Sequence, residues 1–380
     1  MKGDMKMKKT YKRLTCLLLA VIMIFYASFI QFAFAGYEKI TKKTPLLDEK
    51  GHLTTTGWCP QNMFEFSRDD YHGNPMKLKE WDFYQISNDR YCMQITVADI
   101  SIAGAVTVTV FDMQTGERIE QLMIKLFTFG RMKLSNNAMK PHSYSFSKKN
   151  FDMSIDVTAK KRTIKFSGVK DKEPFEINIT LDMLPVHESL TMAVPFENEK
   201  QFYLNQKINC MAATGTVDHG DTHIAFNGKK DNSFCVLDWG RGVWPYHQVW
   251  WWGNGSTVLQ NGSIFGFEIG WGFGNTDEGI ENCLFYNGKA HKIGKIILKN
   301  QDEVTENWTG VDWILTSEDG RFEMTMTPFF DNFTKTRVIF VGNICHQVFG
   351  KFNGKVTLDN GKILKIKDMT AFIERSDNMW

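Results

Sequence analysis

The sequence predicts an all-β chain, antiparallel strands that close into barrels, and three observations predict it. Several stretches alternate apolar and polar residues with the period of a half-buried strand, most plainly Ala105 to Phe111, which reads Ala-Val-Thr-Val-Thr-Val-Phe. Turn signals are dense in the second half. Asn-Gly occurs at 227–228, 254–255, 261–262, 287–288, 353–354 and 360–361, and Asp319-Gly320 adds a seventh. Such dipeptides tolerate positive φ and favour the hairpin turns whose twist matches paired strands. Patterns with helical period are few, so a meander closing on itself is the economical architecture.

Taken in order, residues 36–57 read as a polar, extended lead-in and 58–76 as loop. Lys79 to Tyr84 opens a strand with Trp81, Phe83 and Tyr84, and Tyr91 to Val97 and Ala103 to Phe111 follow it. Thr115-Gly116 turns the chain into a strand from Ile119 to Phe129. Met153 to Val157, Arg162 to Val169 and Phe175 to Leu181 repeat the pattern. Beyond the charged run Glu197 to Lys200, further strands are read at Ile264 to Ile269, Trp313 to Thr316, Phe322 to Met326 and Lys355 to Leu358. Trp81-Asp-Phe-Tyr and Trp250-Trp-Trp each precede two strands around a turn. That short echo suggests one barrel in each half, 36–200 and 201–380.

The first 35 residues are not part of that fold. Lys2 to Arg13 is basic, Leu14 to Ile30 is apolar and uncharged, and Ala33-Phe34-Ala35 precedes Gly36. This is the layout of a cleaved export signal, which predicts a secreted or envelope protein. The apolar run approaches the ~20 residues that span a bilayer, so an uncleaved membrane anchor is the alternative. Six cysteines lie beyond that segment, namely Cys59, Cys92, Cys210, Cys235, Cys283 and Cys345. Their even number permits disulfides and their wide spacing fits buried thiols equally well. No Cys-x-x-Cys pair suggests a metal site.

A net charge of +2 favours no anionic partner, and no nucleic-acid-binding motif is present. Thirty Phe and eleven Trp suit sheets and aromatic-lined cavities. Five of the tryptophans fall between Val236 and Ser256, in Val-Leu-Asp-Trp-Gly-Arg-Gly-Val-Trp-Pro-Tyr-His-Gln-Val-Trp-Trp-Trp-Gly-Asn-Gly-Ser. Asp238 and Arg241 could pair across a turn made pliant by Gly240 and Gly242. Trp239, Trp244 and Tyr246 could wall an apolar site while offering N–H and O–H groups. On a strand, Trp250 and Trp252 would share one face and Trp251 the other. A core corner with no ligand accounts for the same residues.

Asp238-Trp-Gly-Arg-Gly-Val-Trp-Pro-Tyr246, followed by Trp250-x-Trp-Gly-Asn-Gly255, closely resembles the signature of the uncharacterised bacterial family DUF2804. Gly266-Phe-Glu-Ile-Gly270, Glu281-Asn-Cys-Leu-Phe-Tyr-Asn-Gly-Lys-Ala-His-Lys292, His346-Gln-Val-Phe-Gly350 and Phe372-Ile-Glu374 continue the pattern in order. The resemblance is dense over 206–380 and looser over 45–205. That family is distantly similar to the carotenoid hydratase and Diels–Alderase group. The resemblance therefore implies two lipocalin-like antiparallel β-barrels in tandem, and as a fold-level analogy it carries no chemistry.

Glu268 and Glu281 lie in otherwise apolar stretches, where a carboxyl facing a barrel lumen would be desolvated and could serve as a general acid. Each could equally point outward. Trp271 and His346 are further candidates for a ligand site, and His346 suits a core position as readily. His219, Asp221 and His223 would share a strand face in a metal-like spacing, but Gly220 makes a solvated hairpin tip the better reading. No phosphate loop, dinucleotide fingerprint or Gly-x-Ser-x-Gly is present, so no cofactor is expected.

Three functions remain in play. The first is binding of a long apolar ligand, a lipid or polyene, in a barrel cavity by Trp239, Trp244, Tyr246, Trp250, Trp252, Glu268, Trp271 and His346. The second is a cofactor-free hydratase or cyclase in which Asp238 or Glu281 protonates an alkene and Arg241 orients the carboxylate. The third is a structural envelope protein with filled barrels.

Overall fold

The computed structural model describes residues 38–338 and 341–379, and the basic and apolar N-terminal segment lies outside them. The chain is built almost wholly of strands. In the first part come β1 (Thr44–Pro45), β2 (Gly57–Cys59), β3 (Phe64–Glu65), β4 (Lys79–Ser87), β5 (Tyr91–Asp99), β6 (Ala103–Asp112) and β7 (Arg118–Leu126). They are followed by β8 (His142–Lys148), β9 (Phe151–Val157), β10 (Lys161–Lys170), β11 (Glu173–Asp182), β12 (Leu190–Pro195), β13 (Phe202–His219), β14 (Thr222–Asn227) and β15 (Phe234–Val243). The rest holds β16 (His247–Val258), β17 (Ile264–Trp271), β18 (Cys283–Tyr286), β19 (Lys289–Lys292), β20 (Ile296–Leu298), β21 (Trp313–Ser317), β22 (Phe322–Val338), β23 (Val341–Thr357) and β24 (Ile363–Met379). A single short α-helix, α1 (Gln301–Glu306), is found among the described residues, besides three one-turn 3-10 segments.

Two curled antiparallel sheets result, each a nearly closed or half barrel. The first runs β7-β6-β5-β4-β15-β13-β11-β10-β9-β8, with β12 and β14 also pairing with β13, and β2 with β12. The second runs β19-β18-β17-β16-β24-β23-β22-β21-β20. The sheet changes between Val243 and His247. The charged run Glu197 to Lys200 is instead the connection between β12 and β13, within the first sheet.

Each concave face is packed. Tyr84, Ile95, Val108, Ile164, Leu237 and Trp239 belong to the first core, and Trp251, Phe267, Trp313, Phe322, Met326 and Ile373 to the second. Among the described residues, these side chains occupy both interiors, and the aromatic cavity lined by several of the sequence-predicted residues lies between the sheets. The convex faces of β4, β13 and β15 meet those of β16, β17 and β24, so several strands are buried on both sides. Phe202 to Met211 of β13 is almost continuously buried, and so is β15. Phe83 against Trp252, Phe111 against Phe330 and Phe349, and Trp252 against Phe372 form the apolar part of this seam.

The turn dipeptides divide. Asn261-Gly262, Asn287-Gly288, Asp319-Gly320 and Asn360-Gly361 connect successive strands, and Asn227-Gly228 leads out of β14. Asn254-Gly255 and Asn353-Gly354 lie inside β16 and β23. At Gly354, φ is +155°, and the register with β24 shifts there, so this pair makes a bulge. The strand expected to run to Phe129 stops at Leu126, and β8, absent from the sequence expectation, alternates Ser143-Tyr-Ser-Phe-Ser147 with Tyr144 and Phe146 buried. All six cysteines beyond the N-terminal segment are free thiols. Burial pushes the Cys59 thiol up to about 11 and those of Cys210 and Cys283 up to about 12, which keeps them protonated.

Candidate functional site

A cavity of about 310 Å³ lies in the seam between the two sheets. The first sheet supplies Trp81, Tyr203, Lys207, Asp238 and Trp244, and the second supplies Trp250, Trp252, Trp271, Glu281 and Glu374, with Phe273 from the loop after β17. The aromatic side is a contiguous set. Trp81 stacks on Tyr203 at 5.8 Å and meets Trp244 edge-on at 5.2 Å, while Phe273 contacts Tyr203, Trp244 and Trp250 at 4.9, 5.5 and 5.3 Å. Two glycines permit this. A Cβ on Gly240 would come within 2.3 Å of the Trp81 ring, and one on Gly270 within 2.9 Å of a Glu281 carboxyl oxygen.

Alternation explains which residues arrive. On β15, Cys235, Leu237, Trp239 and Val243 enter the first core, leaving Asp238 and Gly240 for the seam. On β16, Trp251 packs in the second core and, stacked on Trp271, also borders the cavity, while Trp250 and Trp252 reach it from the other face of the strand. Glu281 precedes β18 and is held by its neighbours. Lys292 Nζ donates to the carbonyls of Ile280 and Asn282, both at 2.8 Å, and the Asn282 side chain bridges Gly270 N and Gly294 O.

The polar side centres on Lys207, which is 2% exposed. Its Nζ lies 3.1 Å from Asp238, 3.3 Å from Glu281 and 3.7 Å from Glu268, and 4.3 Å from the centre of the Trp252 ring. Burial works against the ammonium. The carboxylates of Asp238, Glu281 and Glu268 together outweigh it and hold its pKa above the ordinary lysine value. Asp238 also accepts from Asn205 Nδ2 at 2.5 Å, and the same amide donates to the Tyr203 hydroxyl at 2.6 Å. Glu268 accepts from Trp252 Nε1, and from Asn254 Nδ2 at 2.8 Å.

Glu374 stands beside this group and accepts from Trp250 Nε1 at 3.3 Å and Gln347 Nε2 at 3.2 Å. Burial raises the pKa of Glu374 to about 7 and that of Glu268 to about 8. Burial also raises Glu281, against the pull of Lys207. The cavity thus offers carboxyl groups able to hold a proton near neutral pH, beside a fixed cation and against aromatic faces.

The structure brings together Asp238, Glu281, Trp244, Trp250, Trp252 and Trp271 of the sequence-predicted residues, and places the others elsewhere. Arg241 does not orient Asp238. Positions three apart on a strand point to opposite faces, so its guanidinium enters the first core, 2.9 Å from Asp82 and 3.5 Å from Glu80. Trp239 shares that inner face and donates to Ser135 O at 3.2 Å. Glu268 lies behind the cavity wall, fully buried. Tyr246 is exposed, and it borders a separate recess with Trp244. His346 pairs with Asp331 at 2.7 Å and stacks on Trp308 at 4.1 Å, apart from the cavity.

Lys207 carries no sequence signal as a site residue, and Glu374 is named only within the family-matching segment Phe372-Ile-Glu374. Lys207 sits in Asn205-Gln-Lys-Ile208, and its partner across β13 and β15 is Asp238, a pairing that only register reveals. His219, Asp221 and His223 lie around the β13–β14 turn, where His219 bonds Lys170 O at 3.1 Å and His223 bonds Asp218 at 2.5 Å. Among the described residues, no group of three His, Cys, Asp or Glu side chains is arranged to hold a metal ion.

Among solved structures, kievitone hydratase from Nectria haematococca aligns with a TM-score of 0.43 at 11% identity, covering 92% of this chain and 98% of that one. A protein provisionally assigned as AttH, from Nitrosomonas europaea, aligns with a TM-score of 0.43 at 11% identity, over 82% of this chain and 96% of that one. No curated protein matches the sequence. The sequence pattern described as "Domain of unknown function (DUF2804)" matches residues 37–380, which include every strand of both sheets and every side chain of the seam cavity. The chain belongs to the DUF2804 family.

Proposed function

We propose that the protein binds an apolar small molecule in the cavity between its two sheets. The observation that carries this reading is the wall of tryptophans drawn from both sheets, Trp81 and Trp244 opposite Trp250, Trp252 and Trp271, around space that no side chain fills. Ligand sites of this kind are apolar with a few convergent polar groups. About 310 Å³ is at the low end of the roughly 300–1,000 Å³ usual for such sites. The occupant is a compact molecule, or the terminal part of a long one. A purely structural body with filled barrels would have no need of this space. Organic extraction of protein purified at native expression level, followed by mass spectrometry, tests the reading. A stoichiometric apolar compound is expected, and it should be lost from a Trp244→Ala variant. An empty extract from folded wild-type protein would count against it.

One observation favours a second reading, in which the bound molecule is also acted upon. Glu281 and Glu374 line the cavity, and burial raises both pKa values. A protonated carboxyl there can deliver its proton to a carbon–carbon double bond. The indole faces stabilise the resulting carbocation, water adds to it, and the proton released returns to the carboxylate. Glu281→Gln and Glu374→Gln variants should retain the extracted compound while at least one loses its conversion. Unchanged conversion in both would remove these residues from the reaction.

A further inference from the structure

We propose that the end of β7 and the loop after it dock the protein on an anionic lipid bilayer. β7 is an edge strand of the first sheet. Leu122, Ile124 and Leu126 alternate along its outer face, while Met123 enters the core. Leu126 is 69% exposed and Phe127 59%, and Phe129 is exposed after them. Five large apolar side chains within eight residues thus face water, a contiguous arrangement that soluble surfaces rarely keep without use.

The loop is built to hold them outward. Phe127 and Phe129 have φ of 53° and 47°, a left-handed backbone that costs a bulky residue roughly 1–2 kcal/mol. The surroundings fix it. Phe127 N bonds Ile102 O at 2.8 Å and Phe129 N bonds Ser101 O at 3.1 Å. Between them, buried Thr128 donates to Asp99 Oδ1 at 2.8 Å, and the Arg131 guanidinium donates to Phe127 O. Strain kept in this way, with aromatic rings directed to solvent, points to a function for the rings.

Charge selects the partner. From Gln121 to Phe151 the sequence has no Asp or Glu, and it carries Lys125, Arg131, Lys133, Lys140, Lys148 and Lys149. Lys125, Arg131 and Lys133 are exposed, Lys125 on the Met123 side of β7, and the exposed Glu120 shares the outer face beside Leu122 at the far end of the apolar row. Asp69 and Asp70, next to the Arg68 side chain that lies against Gly130, are exposed carboxylates at the border of the loop. Aromatic and aliphatic side chains interleaved with cations match a bilayer interface that has anionic headgroups.

Position gives the surface a use. Register places Lys79, Asp99, Ala103, Leu126 and Gly242 at one end of the first sheet. At that end, Met76, Ile100, Ile102 and Tyr246 border a recess of about 170 Å³ whose wall includes Trp244, and Trp244 also lines the seam cavity. An apolar molecule leaving a bilayer would meet this recess first. That delivery role rests on the ligand-binding proposal, whereas docking itself does not.

The test is hydrogen exchange of the full chain with vesicles of phosphatidylcholine alone or with 30% phosphatidylglycerol added, read by peptide together with co-sedimentation. Sedimentation with the anionic vesicles and slowed exchange across 122–133 are expected, with neither on phosphatidylcholine alone. Lys125→Gln with Lys133→Gln should weaken partitioning roughly thirtyfold, from about 1 kcal/mol per cation. Phe127→Ser with Phe129→Ser should abolish the slowed exchange while far-UV circular dichroism stays unchanged. Sedimentation without protection at 122–133 would place docking elsewhere, as through the apolar N-terminal segment, and overturn the proposal. Absence of sedimentation would overturn it too. Neither result bears on whether purified protein carries an extractable ligand.

Discussion

Lys207 lies among Asp238, Glu281 and Glu268, and Glu374 adds a further carboxyl to the same cavity. Burial, with the neighbouring carboxylates adding to it, raises the pKa values of Glu268 and Glu374, while Lys207 and the hydrogen bonds they accept pull the other way. The sign for stability follows. A glutamate whose folded pKa is raised to about 8 holds its proton in the folded chain at pH values where the unfolded chain releases it. Its contribution is present below the ordinary glutamate value and is lost as pH rises through about 8. Burial lowers His187 to about 4 and Lys292 to about 7, and these act in the opposite direction, so wild type alone gives a mixed curve. The difference between Glu268→Gln and wild type isolates the effect. In urea unfolding, the midpoint difference should shift toward the variant between pH 5 and pH 8, and a difference independent of pH would contradict the assignment. Glu268 and Glu281 are legible in the sequence because carboxylates in apolar stretches stand out, and Asp238 because it lies in the Trp-rich stretch beside Arg241. Lys207 is not, because a lysine in a strand ordinarily reaches solvent, and only the opposing sheet makes this one buried.

Alternation governs what each strand delivers, and it decides which sequence expectations hold. On β16 it sends Trp251 into the core of the second sheet and Trp250 and Trp252 into the seam, a separation legible from the residues alone even though all three border the cavity. On β15 the same rule sends Asp238 and Arg241 to opposite faces. The pairing expected between them required a turn, and Gly240 and Gly242 suggested one. The glycines have a different reason. Gly240 is bare because Trp81 lies across it, and a Cβ on Gly242 would come within 2.2 Å of Phe202 O on β13. Close approach and turn formation leave the same mark in a sequence. Asn254-Gly255 repeats the lesson, since a Cβ on Gly255 would meet the Ala371 methyl at 2.4 Å inside the sheet. The strands with plain alternation, β6 and β10, are those with one face toward solvent or lightly covered. β13 and β15 are buried on both faces, so their polar residues carry no periodic signal.

At the scale of the molecule, the two sheets are not independent barrels set side by side. Their convex faces share Trp81, Phe83, Tyr203 and Val236 on one side with Trp250, Trp252, Phe349 and Phe372 on the other. A polar bridge also crosses. Gln94 Nε2 donates to Gln85 Oε1 at 2.9 Å and to Gln347 Oε1 at 2.7 Å, and Gln347 Nε2 donates to Gln85 Oε1 at 3.1 Å. Exposing either convex face would leave aromatic surface and these amides without partners. Only Trp244, Pro245 and Tyr246 connect the sheets along the chain, so the interface between them is made by the seam contacts and not by connecting chain. The chain divided after Pro245 should therefore yield two fragments that co-purify when expressed together. Expressed singly, each should aggregate or bind a hydrophobic dye strongly. Division at residue 200 should fail even on co-expression, because β13 and β15 sit in the middle of the first sheet and β12 pairs with β13 across the cut. Calorimetry of the intact chain should give one transition. Two separate transitions, together with fragments that are each monomeric and stable alone, would show that the seam does not hold the halves together, and the cavity would then lack the fixed walls its chemistry requires.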